Sequence, residues 1–468
     1  MGVGISNWRL AQAVSKTGQL GVVSGTALDQ VLVRRLVDGD PGGAMRRALA
    51  AFPFPAIARR IVDEFFIPGG KPMEQPYPGL PLHNHRQPRK LVELCMAANF
   101  AEVFLAREGH SNPVGINFLE KVQLPHLASI YGAMLAGVSY VLMGAGIPSQ
   151  IPAVLDAFAA HRPAEYRLAV SGVVTEQTED PTVRFDPADY AGEIPLPSLT
   201  RPSFLAIVSS HTLAASLLRR ASGRVDGFVV EGPTAGGHNA PPRGKLQLNA
   251  TGEPVYGQRD RVDLAGMRAL EVPFWLAGGY GSSERLVEAL AEGATGVQVG
   301  TAFAFSDESG LRHDLKSELL AQAAAGEGKV LTDPLASPTG FPFKVAQLAG
   351  TASDPEVAAR RPRVCDLGFL REAYARPGGD LAWRSSAEPV SCYVAKGGAE
   401  EATVGRKCLC NALLANIGHA QVRPDGALEP PLVTLGDDIN TVARFLSPGR
   451  HTYSAAEVIA EILAPQPA

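Results

Sequence analysis

The stretch Glu231-Gly-Pro-Thr-Ala-Gly-Gly-His-Asn-Ala-Pro-Pro-Arg243 follows directly on the apolar run Gly227-Phe228-Val229-Val230. An apolar run that breaks into glycines and then offers one histidine reads as a buried parallel strand presenting a reactive group at the mouth of a barrel. Two further glycine-rich strand ends follow, FWLAGGYGS (Phe274 to Ser282) and VQVGTAFAF (Val297 to Phe305). Glycines after the last two strands are where such barrels commonly hold a phosphate. One histidine and a phosphate cradle on the same rim predict a cofactor enzyme.

Outward from this stretch, the chain alternates strands with helices, the pattern of βα units. Seven strands are predicted, starting near residues 20, 113, 140, 204, 228, 274 and 296. Helices are expected at Trp8 to Lys16, Leu91 to Glu108, about 126–136 and 212–220, and the pattern beyond Thr301 reads as helical to about Leu348. Residues 38–88 read as irregular, 164–200 as an inserted hairpin, and 239–262 as a long loop. The fold expected is an α/β (β/α)8 TIM barrel over residues 1–350, with a loop-rich, cysteine-containing extension over 351–468. A closed barrel needs eight strands. The shortfall falls at the front, where Met1-Gly2-Val3-Gly4-Ile5-Ser6 already reads as a strand-ending loop, so a missing first strand of about ten residues upstream is expected.

The 468 residues are 46% hydrophobic and 19% charged, an ordinary globular composition large enough for a sizeable core. A net charge of −4 leaves no electrostatic footprint for nucleic acid. Five cysteines in so long a chain do not form a secreted disulfide framework, and Met1-Gly2-Val3-Gly4 lacks the basic start and apolar block of a signal peptide. A cytoplasmic enzyme without a membrane anchor is therefore the expectation. No acidic or basic residue occurs between Lys121 and Asp156. Glycines and Pro148 punctuate that run, which reads as a buried helix and a buried strand rather than a membrane span.

Read together, MGVGISNWRLAQAVSKTGQLGVVSG, PVGINF, VLMGAGIP, VVEGPTAGGH, FWLAGGYG and VQVGTAF resemble, in order, the nitronate monooxygenase (2-nitropropane dioxygenase-like) family of FMN-dependent TIM barrels. The resemblance covers roughly residues 1–350. It implies FMN as cofactor and His238 as the active-site histidine. It further implies that Asn117 hydrogen-bonds the flavin and that Met1 and Gly2 lie against it. Gly236 and Gly237 would admit the ring, and Gly278, Gly279, Gln298, Val299, Gly300 and Thr301 would cradle the phosphate. Two departures stand out: Glu231 replaces the glutamine of many members, and Thr234 replaces an acidic residue before Ala-Gly-Gly-His.

The activity this implies is oxidation of alkyl nitronates, or nitroalkanes, with O2. His238 would act as general base or as hydrogen-bond donor to the nitro group. FMN supplies the oxidation and the protein supplies orientation. Two alternatives share the sequence evidence. An NAD(P)H-dependent FMN reductase of an enoyl thioester or quinone would use the loop after His238, with Arg243 or Lys245 meeting a nucleotide phosphate. A flavin-carrying partner subunit would use 351–468 for docking. His211 at a neighbouring strand end is a second candidate for direct function, while His83, His85 and His126 read as surface or loop residues. Cys365, Cys392, Cys408 and Cys410 could form a four-thiolate metal or iron–sulfur site, but Cys-x-Cys is tighter than the usual Cys-x2-Cys and the other gaps are loose; they are read as buried or incidental thiols and no metal is assigned. Cys95 reads as core.

Overall fold

The computed structural model describes residues 2–172, 178–447 and 449–465. Its frame is seven parallel strands: β1 (Gly21–Ser24), β2 (Val114–Leu119), β3 (Tyr140–Gly144), β4 (Ser203–Val208), β5 (Gly227–Glu231), β6 (Phe274–Ala277) and β7 (Gly296–Gln298). They lie side by side in chain order and curl into an open barrel whose two edges are β1 and β7. All seven stand where the sequence places them, and the described residues add no eighth between the edges. The seam there exposes the lumen through a cavity lined by Val22, Leu142, Val229, Trp275, Ile459 and Ile462, among others.

Strand residues alternate between lumen and outer face, because successive side chains point to opposite sides of a sheet. Leu142, Leu205, Val229 and Ala277 fill the lumen, with Val22, Tyr140, Ile207 and Trp275 around them. Asn117 is in register with Leu142, and Glu231 with Ala277, so both polar side chains fall on the lumen face. The outer face packs into the main core, dominated by the helices Arg89–Arg107 and His126–Leu135. Gly132 is required where these two helices meet, since a Cβ there would lie 2.1 Å from the Met96 carbonyl oxygen. The uncharged run after Lys121 thus resolves into the helix His126–Leu135, strand β3 and the helix Ile151–Ala159. Among the described residues, no helix is long and apolar enough to cross a membrane.

Local capping explains several boundaries. Asn7 Oδ1 accepts from the Arg9 and Leu10 N–H groups and opens the helix Trp8–Lys16. Ser210 and Ser282 cap the helices His211–Arg220 and Ser283–Ala291 in the same way.

Three stretches differ from the sequence reading. Residues 38–88 are not wholly irregular: Ala44–Ala50 and Pro55–Phe65 are helices, the second opened by a proline at its first position and amphipathic through Ile57, Ala58 and Ile61. The region read as helical to Leu348 instead turns, after the helix His313–Ala324, into an antiparallel hairpin of Val330–Asp333 with Phe343–Ala346. Gly326, Gly328 and three prolines between 334 and 342 forbid a continued helix. Finally, His83 and His126 are buried rather than superficial. His83 Nε2 lies 2.9 Å from Asp29 Oδ2, and His126 Nε2 lies 3.1 Å from the Leu119 carbonyl oxygen.

Within 164–200, Ala164–Arg167 pairs antiparallel with Thr182–Phe185, while the turn residues 173–177 lie outside the described residues. Val170–Ser171 pairs in parallel with Glu372–Ala375, which itself forms a hairpin with Leu381–Arg384. Residues beyond 351 are therefore woven into the barrel's surroundings. A second core joins Phe305 and Leu319 to Val433, Leu435, Ile439 and Val458. Buried Arg34 donates to the His419 carbonyl oxygen, and Arg361 and Arg423 both engage the fully buried Glu429.

Candidate active site

The C-terminal ends of β5, β6 and β7 converge on a cavity lined by Glu231, Thr234–Gly237, Ala277–Tyr280 and Gln298–Thr301. Gly2, Ile5 and Ser6 close it from the first loop, and Thr434, Leu435, Gly436 and Asp438 close it from the C-terminal segment. The cavity encloses about 140 Å³ and opens to solvent at its mouth.

Two kinds of glycine build it. Gly236, Gly278 and Gly436 let backbones approach: a Cβ on Gly236 would lie 2.8 Å from the Leu435 carbonyl carbon, and one on Gly278 would lie 2.8 Å from Thr234 Oγ1. Gly279 (φ +81°) and Gly300 are the opposite case, because a Cβ on either would meet no protein atom within 4 Å. Those two positions leave room that a side chain would take from a ligand. Thr301 Oγ1 accepts from the Gly436 N–H at 3.1 Å, fastening the C-terminal strip over the cradle. Asp438 Oδ1 is buried there without a partner, an acceptor suited to a hydroxyl-bearing ligand.

This donor set fits FMN. Glycine-lined strand ends offer backbone N–H groups and space to a phosphate, and the orphan Asp438 oxygen could receive a ribityl hydroxyl. Gly2, Gly236, Gly237, Gly278, Gly279, Gln298, Val299, Gly300 and Thr301 all line this one cavity. Met1 lies outside the described residues. Asn117 sits on the lumen face of β2, level with Leu142, and is not among the residues that line the cavity.

His238 borders a second cavity that shares Glu231 with the first. Its other walls include Ile207, Asn239, Arg243, Tyr256 and Phe341. The loop carrying His238 is held by the 330–346 hairpin: Lys344 N–H donates to the Gly237 carbonyl, and Asn239 N–H to the Pro342 carbonyl, both at 2.9 Å. The imidazole packs edge-on against Phe343, with centroids 4.7 Å apart, and its Nε2 lies 2.7 Å from Ser337 Oγ. Ser337 is fully buried, and its Oγ also lies 2.8 Å from Thr339 Oγ1. Burial pushes the His238 pKa down to about 3, so the ring is neutral near pH 7. Burial pushes the Glu231 carboxyl the other way, up to about 7.

Thr234, in place of an acidic residue, donates through Oγ1 to the Gly278 carbonyl at 3.1 Å and so splints the β5 and β6 loops. His211 is not brought into either cavity. It starts the helix His211–Arg220, with Nδ1 3.7 Å from Asp263 Oδ2. Arg243 borders the His238 cavity, but its guanidinium donates to the Arg259 and Ser209 carbonyls. Cys95 is buried in the core. No grouping of three or more metal-ligating side chains occurs among the described residues. Burial raises the Cys365 pKa to about 11 and that of Cys410 as well, which leaves protonated, unreactive thiols.

Residues 189–333 match the nitronate monooxygenase family. The nitronate monooxygenase match spans β4 to β7, His238 and the cradle glycines that follow β5, β6 and β7, but neither Gly2 nor the strip at 434–438. The chain is 32% identical over 107 residues to a "Probable nitronate monooxygenase" of Staphylococcus saprophyticus, covering 23% of this chain and 29% of that one. It is 30% identical over 118 residues to a (3aS,4S,5R,7aS)-5-hydroxy-7a-methyl-1-oxo-octahydro-1H-indene-4-carboxyl-CoA dehydrogenase of Rhodococcus jostii, covering 25% of this chain and 29% of that one. The chain thus spans under a third of the length of these curated relatives. Among solved structures, a nitroalkane oxidase of Streptomyces ansochromogenes is similar at 14% identity and a TM-score of 0.47, over 99% of this chain and 92% of that one.

Sequence reasoning missed Ser337, Phe343 and the strip 434–438. Ser337 lies 99 positions from the histidine it touches, and a pairing over that distance leaves no periodic or spacing signal.

Proposed function

We propose that this protein is an FMN-dependent oxidoreductase that oxidises alkyl nitronates with O2. The observation that carries this reading is the pair of adjoining cavities, a glycine cradle fit for FMN and a cavity faced by neutral His238, with Glu231 lining both. The nitronate monooxygenase match over the same strands supports it. When bound, FMN supplies a two-electron acceptor that O2 can reoxidise.

The chain's own residues then do the following. Gly279 and Gly300 leave room for the phosphate, and Gly236 and Gly237 keep bulk away from the ring. His238, neutral and held by Ser337, donates a hydrogen bond to the nitro oxygens or accepts the α-proton of a neutral nitroalkane. An anion arriving in that buried cavity favours the protonated ring and so raises the basicity of His238 just where it is used. Ile207, Phe341 and the Asn239–Tyr256 loop limit water at the substrate.

A second reading is favoured by one relative. The Rhodococcus protein is by name a carboxyl-CoA dehydrogenase, and the 239–262 loop is long enough to cover a thioester or a nicotinamide nucleotide. Anaerobic stopped-flow absorbance of the FMN-loaded protein separates the two. Flavin bleaching by propionate-3-nitronate and not by NADH or NADPH is expected. Bleaching by a nicotinamide nucleotide alone would overturn the nitronate reading.

A further inference from the structure

Glu231 ends β5 on the lumen face, in register with Ala277. It forms the shared wall of the cofactor cradle and the His238 cavity, and among the described residues is the one carboxyl lining both. Its carboxyl makes no hydrogen bond or ion pair with the described residues; the neighbouring wall is Ile207, Gly232, Pro233, Ala277 and Gly278. Among the described residues, the other charged or titratable groups facing the two cavities, Asp438 excepted, are engaged or neutral. Arg243 is held by backbone carbonyls, and Asp260 accepts from the Arg243 and Gly257 N–H groups at 2.7 Å. Tyr256 donates to the Ala240 carbonyl at 3.1 Å, and His238 is uncharged. Tyr280 stays protonated because burial raises its pKa. Asp438 adds negative charge at the far end of the cradle.

Two electrons placed on a flavin beside Glu231 add negative charge in a poorly solvated space, where like charges raise each other's proton affinity. We propose that Glu231 is the acid–base partner of the flavin in this site. On this inference, which rests on the FMN reading, reduction of the bound flavin draws one extra proton from solvent onto the Glu231 carboxylate. An O–H bond forms there as two electrons arrive from the nitronate. The same bond breaks and the proton returns to solvent as the electrons leave to O2, so the carboxyl is unchanged over a cycle.

The test is the midpoint potential of the FMN-loaded protein against pH, by dye-equilibrated titration, for wild type and Glu231→Gln. For a two-electron couple, each tenfold change in proton concentration is worth about 30 mV per proton taken up. Just above the carboxyl's value of about 7, the wild-type slope should exceed that of the variant by up to about 30 mV per pH unit. Parallel slopes from pH 6 to pH 9 would overturn the inference. The wild type alone supplies a second readout: its reduced-minus-oxidised infrared difference spectrum at high pH should gain a carboxylic-acid C=O band, and absence of that band overturns the inference too. Because dyes set the potential, failure of the nitronate to reduce the flavin would sink the substrate reading and leave this test intact. A protein that takes up no FMN overturns both.

Discussion

Replacing Ser337 with alanine isolates the contact that orients His238. The serine is fully buried, and its Oγ lies 2.7 Å from Nε2, while Phe343 confines the ring from the side. Deleting Oγ leaves a buried imidazole nitrogen unpartnered, which costs roughly 1–3 kcal/mol. Part of that cost falls on stability, since the folded state carries the orphan. The rest falls on catalysis, because the ring can now turn away from the substrate cavity. At about 1.4 kcal/mol per tenfold in rate, kcat/KM should fall by up to about 100-fold, and more for a neutral nitroalkane, which needs proton abstraction, than for its nitronate. Ser337 does not line the FMN cradle, so the Kd for FMN should stay within about twofold. Steady-state kinetics on both substrate forms, with flavin fluorescence for affinity, would decide it. Equal kcat/KM values for wild type and Ser337→Ala on the neutral substrate would refute the orienting role. A large loss of FMN instead would mean that the change had damaged the fold rather than the histidine.

Gly300→Val should keep thermal stability within about 0.5 kcal/mol, since its Cβ meets no protein atom, yet weaken FMN by about tenfold or more; retention of full affinity in a fluorescence titration would contradict the cradle. Glu429→Gln should cost about 3–5 kcal/mol in chemical denaturation, because it strips the buried partner from both Arg361 and Arg423; a loss below about 1 kcal/mol would be the wrong result. The two shifted groups give opposite pH slopes in the FMN-free protein. Glu231, raised from 4.5 to about 7, contributes stability that is present below about pH 4.5 and lost as pH rises through about 7. His238, lowered from 6.5 to about 3, contributes stability present above about pH 6.5 and lost as pH falls through about 3. Urea midpoints for Glu231→Gln and His238→Gln should each flatten one of those limbs and leave the other.

Legibility in the sequence followed how locally each feature is encoded. Runs such as Phe228 to Val230 and Phe274 to Ala277 are continuous, apolar and ended by glycine, so their burial as parallel strands could be read directly. The glycines of the cradle were legible for the same reason: a strand that ends in Ala-Gly-Gly or Val-Gly-Thr announces a backbone that must stay bare. The hairpin at 330–346 was not. Its strands are four residues each, too short to display a period of two, and residues between them such as Ser337 carry no mark of facing a histidine. Thr434 to Asp438 was equally silent, because nothing in a short polar strip says that it closes a cavity formed more than 130 residues earlier.

The charges around the cradle bear on what it can hold. Among the described residues, no lysine or arginine lines it, whereas Glu231 and Asp438 both do. A phosphate in this cradle would therefore be met by backbone N–H groups and threonine hydroxyls, which bind through fixed dipoles rather than a counter-charge. Fixed dipoles act only if their geometry is held, and here much of the holding is done from outside the barrel. Lys344, almost fully buried, donates to Asp437 at 2.5 Å, while Gly237 N–H donates to Thr434 Oγ1 at 2.9 Å and Asp437 N–H to the Thr234 carbonyl at 3.1 Å. The hairpin that orients His238 is thus the same element that anchors the strip over the cofactor. Closure of the cradle and the setting of the histidine share one mechanical support, to which the C-terminal segment contributes as much as the strands whose glycines shape the cavity.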